Sequence, residues 1–391
     1  MRIIFMLAAW LFASTVQAST LADQLDAAWR MAPEARVLDA RANELKARGL
    51  AVDSLLAAPP VAAVSYRGDN FTGNAGQRDY EAELGLPLWL PGQRAAHRQS
   101  WVSETKALTA ARTTLRLKLV GELREKNGAL RRAAVELALT ETLLTEARAF
   151  EADVERRYRA GDLARTDYLA ARMETLAVMR EVTARQTERD VARAALRALS
   201  GMEQAVDAEP LALVIPTHPE LASRNTALLA AREKRRATEQ NRRDAPELAV
   251  FGRRERGSSS ADYDNSLGIR LKFPFATDAR NAPLLAQALG EVDTAQAQWE
   301  QTQRQTEAEI RQSEAALQGA RQRQELARQR ADISGENHRH IRRAFDYGER
   351  DLASLLRAKG QMDAARLDAA LAQVETEIAI ARLNQAQGVL P

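Results

Sequence analysis

The stretch Asp79-Tyr80-Glu81-Ala82-Glu83-Leu84-Gly85-Leu86-Pro87-Leu88-Trp89-Leu90-Pro91-Gly92-Gln93-Arg94 decides the fold. Its first half alternates: Tyr80, Ala82, Leu84, Leu86 and Leu88 interleave with Asp79, Glu81, Glu83 and Gly85, the period-two pattern of a strand with one apolar and one polar face. Its end opens a segment of another kind. From Gln93 to about Glu155 there is no proline and only two glycines, Gly121 and Gly128, while Leu123, Leu130, Leu137 and Leu144 recur every seven residues. That spacing is a coiled-coil seam, and at 1.5 Å per residue the segment makes a rod of roughly 95 Å. A globular core needs no such length.

Both halves of this signal occur twice. Ala58-Pro59 returns as Ala245-Pro246, Pro87 as Pro274, Glu122 and Arg124 as Glu309 and Arg311, Leu130 as Leu317, Leu139 as Leu326 and Leu196 as Leu383, always 187 positions later. The same offset carries Tyr158 to Phe345, Gly161 to Gly348, Leu169 to Leu356 and Gly201 to Gly388; upstream, Pro33-Glu34 matches Pro219-Glu220 at 186. Internal repetition of this kind defines the architecture. In the second copy Leu267, Ile269, Leu271, Phe273 and Phe275 alternate with Ser266, Gly268, Arg270 and Lys272. Weaker strands precede each pattern, at Ala62, Val64 and Tyr66 and at Ala249 and Phe251, where the phase is less clear, across polar loops from Arg67 to Arg78 and from Arg253 to Asp262. Helical segments from Thr20 to Leu56 and Pro219 to Arg243 lead in, and the second long helix runs from Pro283 to Arg343. Each long helix ends at a glycine turn, Tyr158-Arg159-Ala160-Gly161-Asp162-Leu163 and Phe345-Asp346-Tyr347-Gly348-Glu349-Arg350-Asp351-Leu352, and another helix returns.

The predicted organisation is a signal peptide at 1–18; repeat 1 at 19–201, with a β-hairpin about 60–90 and a helical hairpin about 92–200; a linker at 202–217, rich in Pro210 and Pro216; and repeat 2 at 218–391, with a β-hairpin about 247–275 and a helical hairpin about 279–388. Arg2, the apolar run Ile3 to Val16 and the small-residue site Val16-Gln17-Ala18 carry the signal-peptide reading. No later apolar run approaches the roughly 20 residues a spanning helix needs, so membrane entry, if any, is by strands.

Composition narrows the function. The 391 residues include no cysteine, which excludes disulfides, thiolate metal sites and a cysteine nucleophile. With 56 Lys and Arg against 53 Asp and Glu, the chain is too balanced for a nucleic-acid footprint. Phosphate-cradling loops, nucleophile elbows and His-Glu-x-x-His motifs are absent, and no cofactor or catalysis is expected. His338 and His340, two apart on a helix, point to different sides, so a solvated face is the default reading and no metal site is expected.

Four amphipathic strands leave two unpaired edges, and unsatisfied backbone in lipid costs several kcal/mol per group. Closure must come from other copies. Strands of about ten residues match a barrel wall of roughly 25 Å, and Tyr66, Phe71, Tyr80, Trp89, Tyr263 and Phe275 fall where interfacial aromatics sit. A soluble hairpin packed on helices uses the same alternation, so a soluble periplasmic coiled-coil adaptor or scaffold is the alternative.

The order of elements, the duplication, the strand-exit motif Leu86-Pro87-Leu88-Trp89-Leu90-Pro91-Gly92-Gln93-Arg94 and the twin turns from Tyr158 to Ala171 and Phe345 to Ala358 resemble the TolC-type outer-membrane efflux channels. The resemblance implies a mainly α fold with membrane β structure: a homotrimer whose three chains form a twelve-stranded β-barrel in outer-membrane lipid and an α-barrel in the periplasm. It also implies a passive duct that docks by its helix tips onto a periplasmic adaptor (membrane fusion) protein joined to an inner-membrane transporter of the RND type, with no nucleic acid. Carried over residue by residue, Gly161, Leu163, Leu169, Gly348, Leu352 and Leu356 look like adaptor-docking positions. Asp167, Phe345, Arg350, Ser354 and Arg357 match gate positions. Relatives have Tyr where Phe345 stands, and some have aspartates where Ser354 and Arg357 stand; Arg357 facing the lumen would favour anions, and facing outward it is solvated. A short chain without a lipidated cysteine looks like the heavy-metal-efflux branch, which implies heavy-metal cations among the small solutes exported.

Overall fold

The computed structural model describes residues 20–71, 73–213 and 217–391. The signal-peptide expectation and Pro216 lie outside them. Helix α1, Leu21–Met31, is opened by a capping box in which the Thr20 hydroxyl accepts from the Asp23 amide at 3.2 Å and the Asp23 carboxylate accepts from the Thr20 amide at 2.9 Å. Helix α2, Pro33–Asp53, starts on its proline. A residue ahead of proline is pushed out of the helical region, so Ala32 is extended (ψ 123°) and the predicted single helix is two.

The strands are β1, Val61–Gly68; β2, Arg78–Pro87; β3, Glu247–Arg256; and β4, Asp264–Lys272. They form one antiparallel sheet in chain order, so the second hairpin is joined to the first through β2 and β3. The register aligns Val64 with Ala82, Leu84 with Val250 and Val250 with Ile269. One face is therefore Ala62, Val64, Tyr66, Tyr80, Ala82, Leu84, Leu248, Val250, Leu267, Ile269 and Leu271, and apart from the half-buried Leu248 its large apolar side chains stand exposed, Ile269 at 75%. The other face is ion-paired. Arg253 grips Asp79 through two hydrogen bonds of 2.9 and 2.6 Å, Arg270 holds Glu81 at 2.8 Å and also Glu83, and Lys272 bridges Glu83 and Glu247 at 3.2 Å each.

The structure settles the phase of β3, which the sequence leaves unclear: its apolar face is Leu248 and Val250, while Ala249 and Phe251 fall on the polar face. Phe251 is held there because it covers Gly268 directly across the sheet and lies under the Arg270 guanidinium, 4.7 Å from the ring centroid. The second hairpin loop is shorter than expected. Arg253 to Arg256 pair with β2 as strand, leaving residues 257–263 as the loop.

The strand-exit stretch is anchored by side chains. The Trp89 indole donates to the Ser54 carbonyl at 3.1 Å, Arg94 to the Asp53 carbonyl at 2.6 Å, and the Gln93 amide to Asn241 at 2.6 Å, while Gly92 takes φ +80°. Helix α3 then runs uninterrupted over Gln93–Ala160, and α4 over Arg165–Ser200. Helix α5 is Pro219–Gln240, α6 Asp278–Asp346 and α7 Leu352–Ala386. Helix α6 begins ahead of Pro283, which sits in its second turn.

The chain divides into two compact units that cut across the repeats. One takes Met1–Ala32, Arg116–Ile215 and Glu309–Pro391; the other takes Pro33–Leu115 and Pro216–Ala308 and contains the sheet. In the first, Leu123, Leu130 and Leu137 of the predicted seam are buried. Gly121 and Gly128 are where α7 comes close: a methyl group added there would meet Gln385 and Ile378 at 2.9 Å. The linker is pinned by buried amides, with the Val206 amide donating to Asn127 at 2.9 Å and the Ala212 amide to Asn384 at 3.0 Å. Arg124, nearly buried, pairs with Glu209 at 3.0 Å and donates to Gln385 at 2.7 Å. Burial pulls its pKa down and the Glu209 carboxylate opposes that shift.

Candidate functional site

The two helix turns are built by the same backbone device. At the end of α3 the Asp162 amide donates to the Arg157 carbonyl and the Gly161 amide to the Tyr158 carbonyl, at 2.9 and 3.0 Å; at the end of α6 the Glu349 amide donates to Ala344 and the Gly348 amide to Phe345, at 2.8 and 3.0 Å. This is the Schellman pattern, which requires a left-handed residue. Gly161 at φ +88° and Gly348 at φ +78° supply it, and both positions face open space.

Acidic side chains then start the returning helices, from different positions. In α4 the Asp167 carboxylate reaches back to the Ala164 amide at 3.1 Å; in α7 Asp351 is itself the cap and accepts from the Ser354 amide at 3.0 Å. Hydrogen bonds from the Ser354 hydroxyl and amide, with a smaller contribution from the Arg357 charge, hold the Asp351 carboxyl below the ordinary aspartate range. Asp167 and Ser354 are thus both occupied with helix starts.

Beneath the turns lies a buried cluster of Phe150, Val154, Ala171, Phe345, Leu352 and Leu355, with Leu163, Tyr168, Ile341 and Leu356 packed against it. Of the six docking positions named from sequence, Leu163, Leu352 and Leu356 belong to this interior, while Gly161, Gly348 and Leu169 (45% exposed) lie on the surface. Of the gate positions, Phe345 is 7% exposed and inside the cluster, and Arg350 and Arg357 are exposed. The duplication is chemically uneven here. Tyr158 and Tyr168 stack in the first turn at 5.8 Å with planes 7° apart, whereas the equivalent pair in the second turn, Phe345 and Leu355, is core.

A four-charge ring joins α3 to α6 at this end. Arg157 contacts Asp153 at 3.2 Å and Asp346 at 3.1 Å; Arg342 contacts Asp346 at 3.4 Å and Asp153 at 3.7 Å. Arg157 also lies 5.5 Å above the Phe345 ring and Arg342 5.7 Å from Phe150. Sequence reading missed this ring. Its signal is an Asp-to-Arg spacing of four before one turn and an Arg-to-Asp spacing of four before the other. Burial lowers the His338 pKa, and His340 faces Glu336 at 3.6 Å. Among the described residues no group of three His, Cys, Asp or Glu is placed to hold a metal, and no described helix is long and apolar enough to cross a membrane.

The outer membrane efflux protein family matches residues 214–389. That match spans a little under half of the chain, and over it the chain is similar to this family. No curated protein matches it by sequence. Among solved structures, a membrane protein from Pseudomonas aeruginosa is 18% identical with a TM-score of 0.74, covering 94% of this chain and 90% of the other. CusC is 16% identical with a TM-score of 0.74 over 95% and 92%, and the outer membrane protein VceC from Vibrio cholerae is 17% identical with a TM-score of 0.73 over 94% and 96%. Identities this low show a shared fold, over 94–95% of the chain.

Proposed function

We propose that this chain is the outer-membrane subunit of a tripartite efflux pump and works as a homotrimer. Three four-stranded sheets joined edge to edge, β4 of one copy beside β1 of the next, make a closed twelve-stranded barrel in outer-membrane lipid, and the long helices form a hollow stem in the periplasm. The observation that carries this reading is the sheet itself: an exposed apolar face, an ion-paired face behind it, and two edges without partners among the described residues. Water penalises the first and lipid penalises the last; closure in a bilayer satisfies both, with the charged face lining an aqueous lumen.

The tip turns are the proposed docking surface for the periplasmic adaptor, through Gly161, Leu169, Gly348 and the exposed Tyr347 beside it, with Leu163, Leu352 and Leu356 setting their shape from inside. Asp167, Phe345, Arg350, Ser354 and Arg357 are the proposed gate region. An inner-membrane transporter of the RND type would supply the energy. The proposed cargo is small solutes, with heavy-metal cations tested first on the branch resemblance of the sequence.

Ile269→Arg tests the barrel. A charge at the lipid-facing midplane costs about 2–4 kcal/mol, so the variant should fail to reach the outer-membrane fraction while wild type requires detergent for extraction. Normal assembly of the variant, or a wild-type chain that is monomeric in plain buffer, favours the soluble coiled-coil scaffold instead.

A further inference from the structure

The outward face of the sheet changes character at the hairpin end. Below it are Val64, Leu84, Val250, Leu267 and Ile269, all exposed and apolar. At the end itself the same face carries Arg78, Arg254 and Arg256, set among Tyr66, Tyr80 and Tyr263. The register places Arg78 directly opposite Arg256 and Tyr80 directly opposite Arg254. The Arg254 and Arg256 guanidiniums lie 4.3 and 5.0 Å from the Tyr263 ring centroid, and Arg256 donates to the Gly76 carbonyl at 3.2 Å. Tyr66 and Tyr80 pack at 5.1 Å beside them.

The charges on this face are unbalanced. Among the described residues none of the three arginines has a carboxylate within 4.0 Å, although the opposite face pairs Arg253, Arg270 and Lys272 with Asp79, Glu81, Glu83, Glu247 and Glu255. Like charges directly opposite across a ladder destabilise it. A third cation two residues along the same face adds to that cost. An anion seated between the guanidiniums removes it, and phosphate is the anion that a planar guanidinium fork binds with two parallel hydrogen bonds. The tyrosines fit a headgroup boundary, where one end of the ring is wet and the other is not.

We propose that Arg78, Arg254 and Arg256 form a binding site for a phosphate-bearing lipid headgroup, with the acyl chains lying along the exposed apolar face beneath. The occupant is a lipid and not a free anion because the basic patch and the apolar belt are continuous on one face, so a single amphiphile satisfies both. The site rests on the barrel reading, since only a lipid-facing surface meets such a molecule.

The test reconstitutes the full-length protein into phosphatidylcholine vesicles with or without phosphatidic acid, and reads flotation and the thermal unfolding midpoint. Phosphatidic acid is expected to raise the midpoint by mass action for wild type and for Arg67→Gln, a control on the opposite face. The triple variant Arg78→Gln, Arg254→Gln, Arg256→Gln is expected to lose the rise while still floating; if it does not insert, Arg254→Gln alone must reduce the rise. An equal rise in wild type and variants overturns the site, as does an equal rise on adding inorganic phosphate to pure phosphatidylcholine vesicles. Failure of wild type to float with any vesicle is a separate outcome that overturns the barrel reading, and the site with it.

Discussion

Gly161 and Gly348 show how much a single position decides. Each ends a helix of nearly seventy residues, each has a positive φ, and neither has a neighbour that an added methyl group would touch. Alanine at either position therefore costs backbone strain alone, about 1–2 kcal/mol, and asparagine costs less; chemical denaturation of the two series should show this order. Asp351 gives a pH dependence of the second turn. Its carboxyl is held below the ordinary value by the cap, so the stability it contributes is complete above about pH 3.9 and is lost as pH falls through the lowered value. Amide exchange at Ser354 should accelerate in that acid window in wild type and show no such step in Asp351→Asn, whose neutral amide still caps. The glycines were readable from sequence because no other residue explains a turn at that offset. The caps were not, because Asp167 and Ser354 occupy equivalent positions in the two copies yet do different jobs.

At the scale of elements, β3 and β4 are held in register by a filled gap. A side chain at Gly268 would collide with the Phe251 ring lying across it. Gly268→Val should destabilise the sheet by about 1–3 kcal/mol through overpacking, and Phe251→Ala in the same chain should return part of that loss; unfolding midpoints of the single and double variants measure both. Alternation located three of the four strands in the correct phase. It left the phase of β3 unclear because a glycine opposite admits an aromatic ring on the polar face, and periodicity is blind to what stands across the ladder. The arginines after Phe251 were read as loop for a related reason: their strand character comes from pairing with Arg78 to Glu81, which are far away in sequence.

At the scale of the molecule, the linker is a clamp. Arg124, Glu209, Gln385 and Asn384 tie the inter-repeat segment to α3 and α7 within one unit. Removing the carboxylate with Glu209→Ala strands a nearly buried guanidinium, a loss of about 3–5 kcal/mol. Arg124→Met combined with Glu209→Ala should cost less than Glu209→Ala alone. Equal losses, measured by denaturation in detergent, would mean that the pair is not coupled. The duplication pointed to two repeats, and each compact unit draws segments from both of them, because both copies contribute strands to a single sheet and helices to a shared interior.

The order of elements, the duplication, the strand faces of three strands and the turn glycines were all determined by the sequence alone, since each follows from local periodicity, backbone permissiveness or a repeated spacing. The tertiary structure decided what depends on residues distant along the chain: which side chains at the tips are interior, the charge ring between α3 and α6, the phase of β3, the clamp on the linker, and the gathering on one face of the sheet of three arginines that have no carboxylate partner among the described residues. Pairing and burial are properties of neighbours in space, and no spacing along the chain records them.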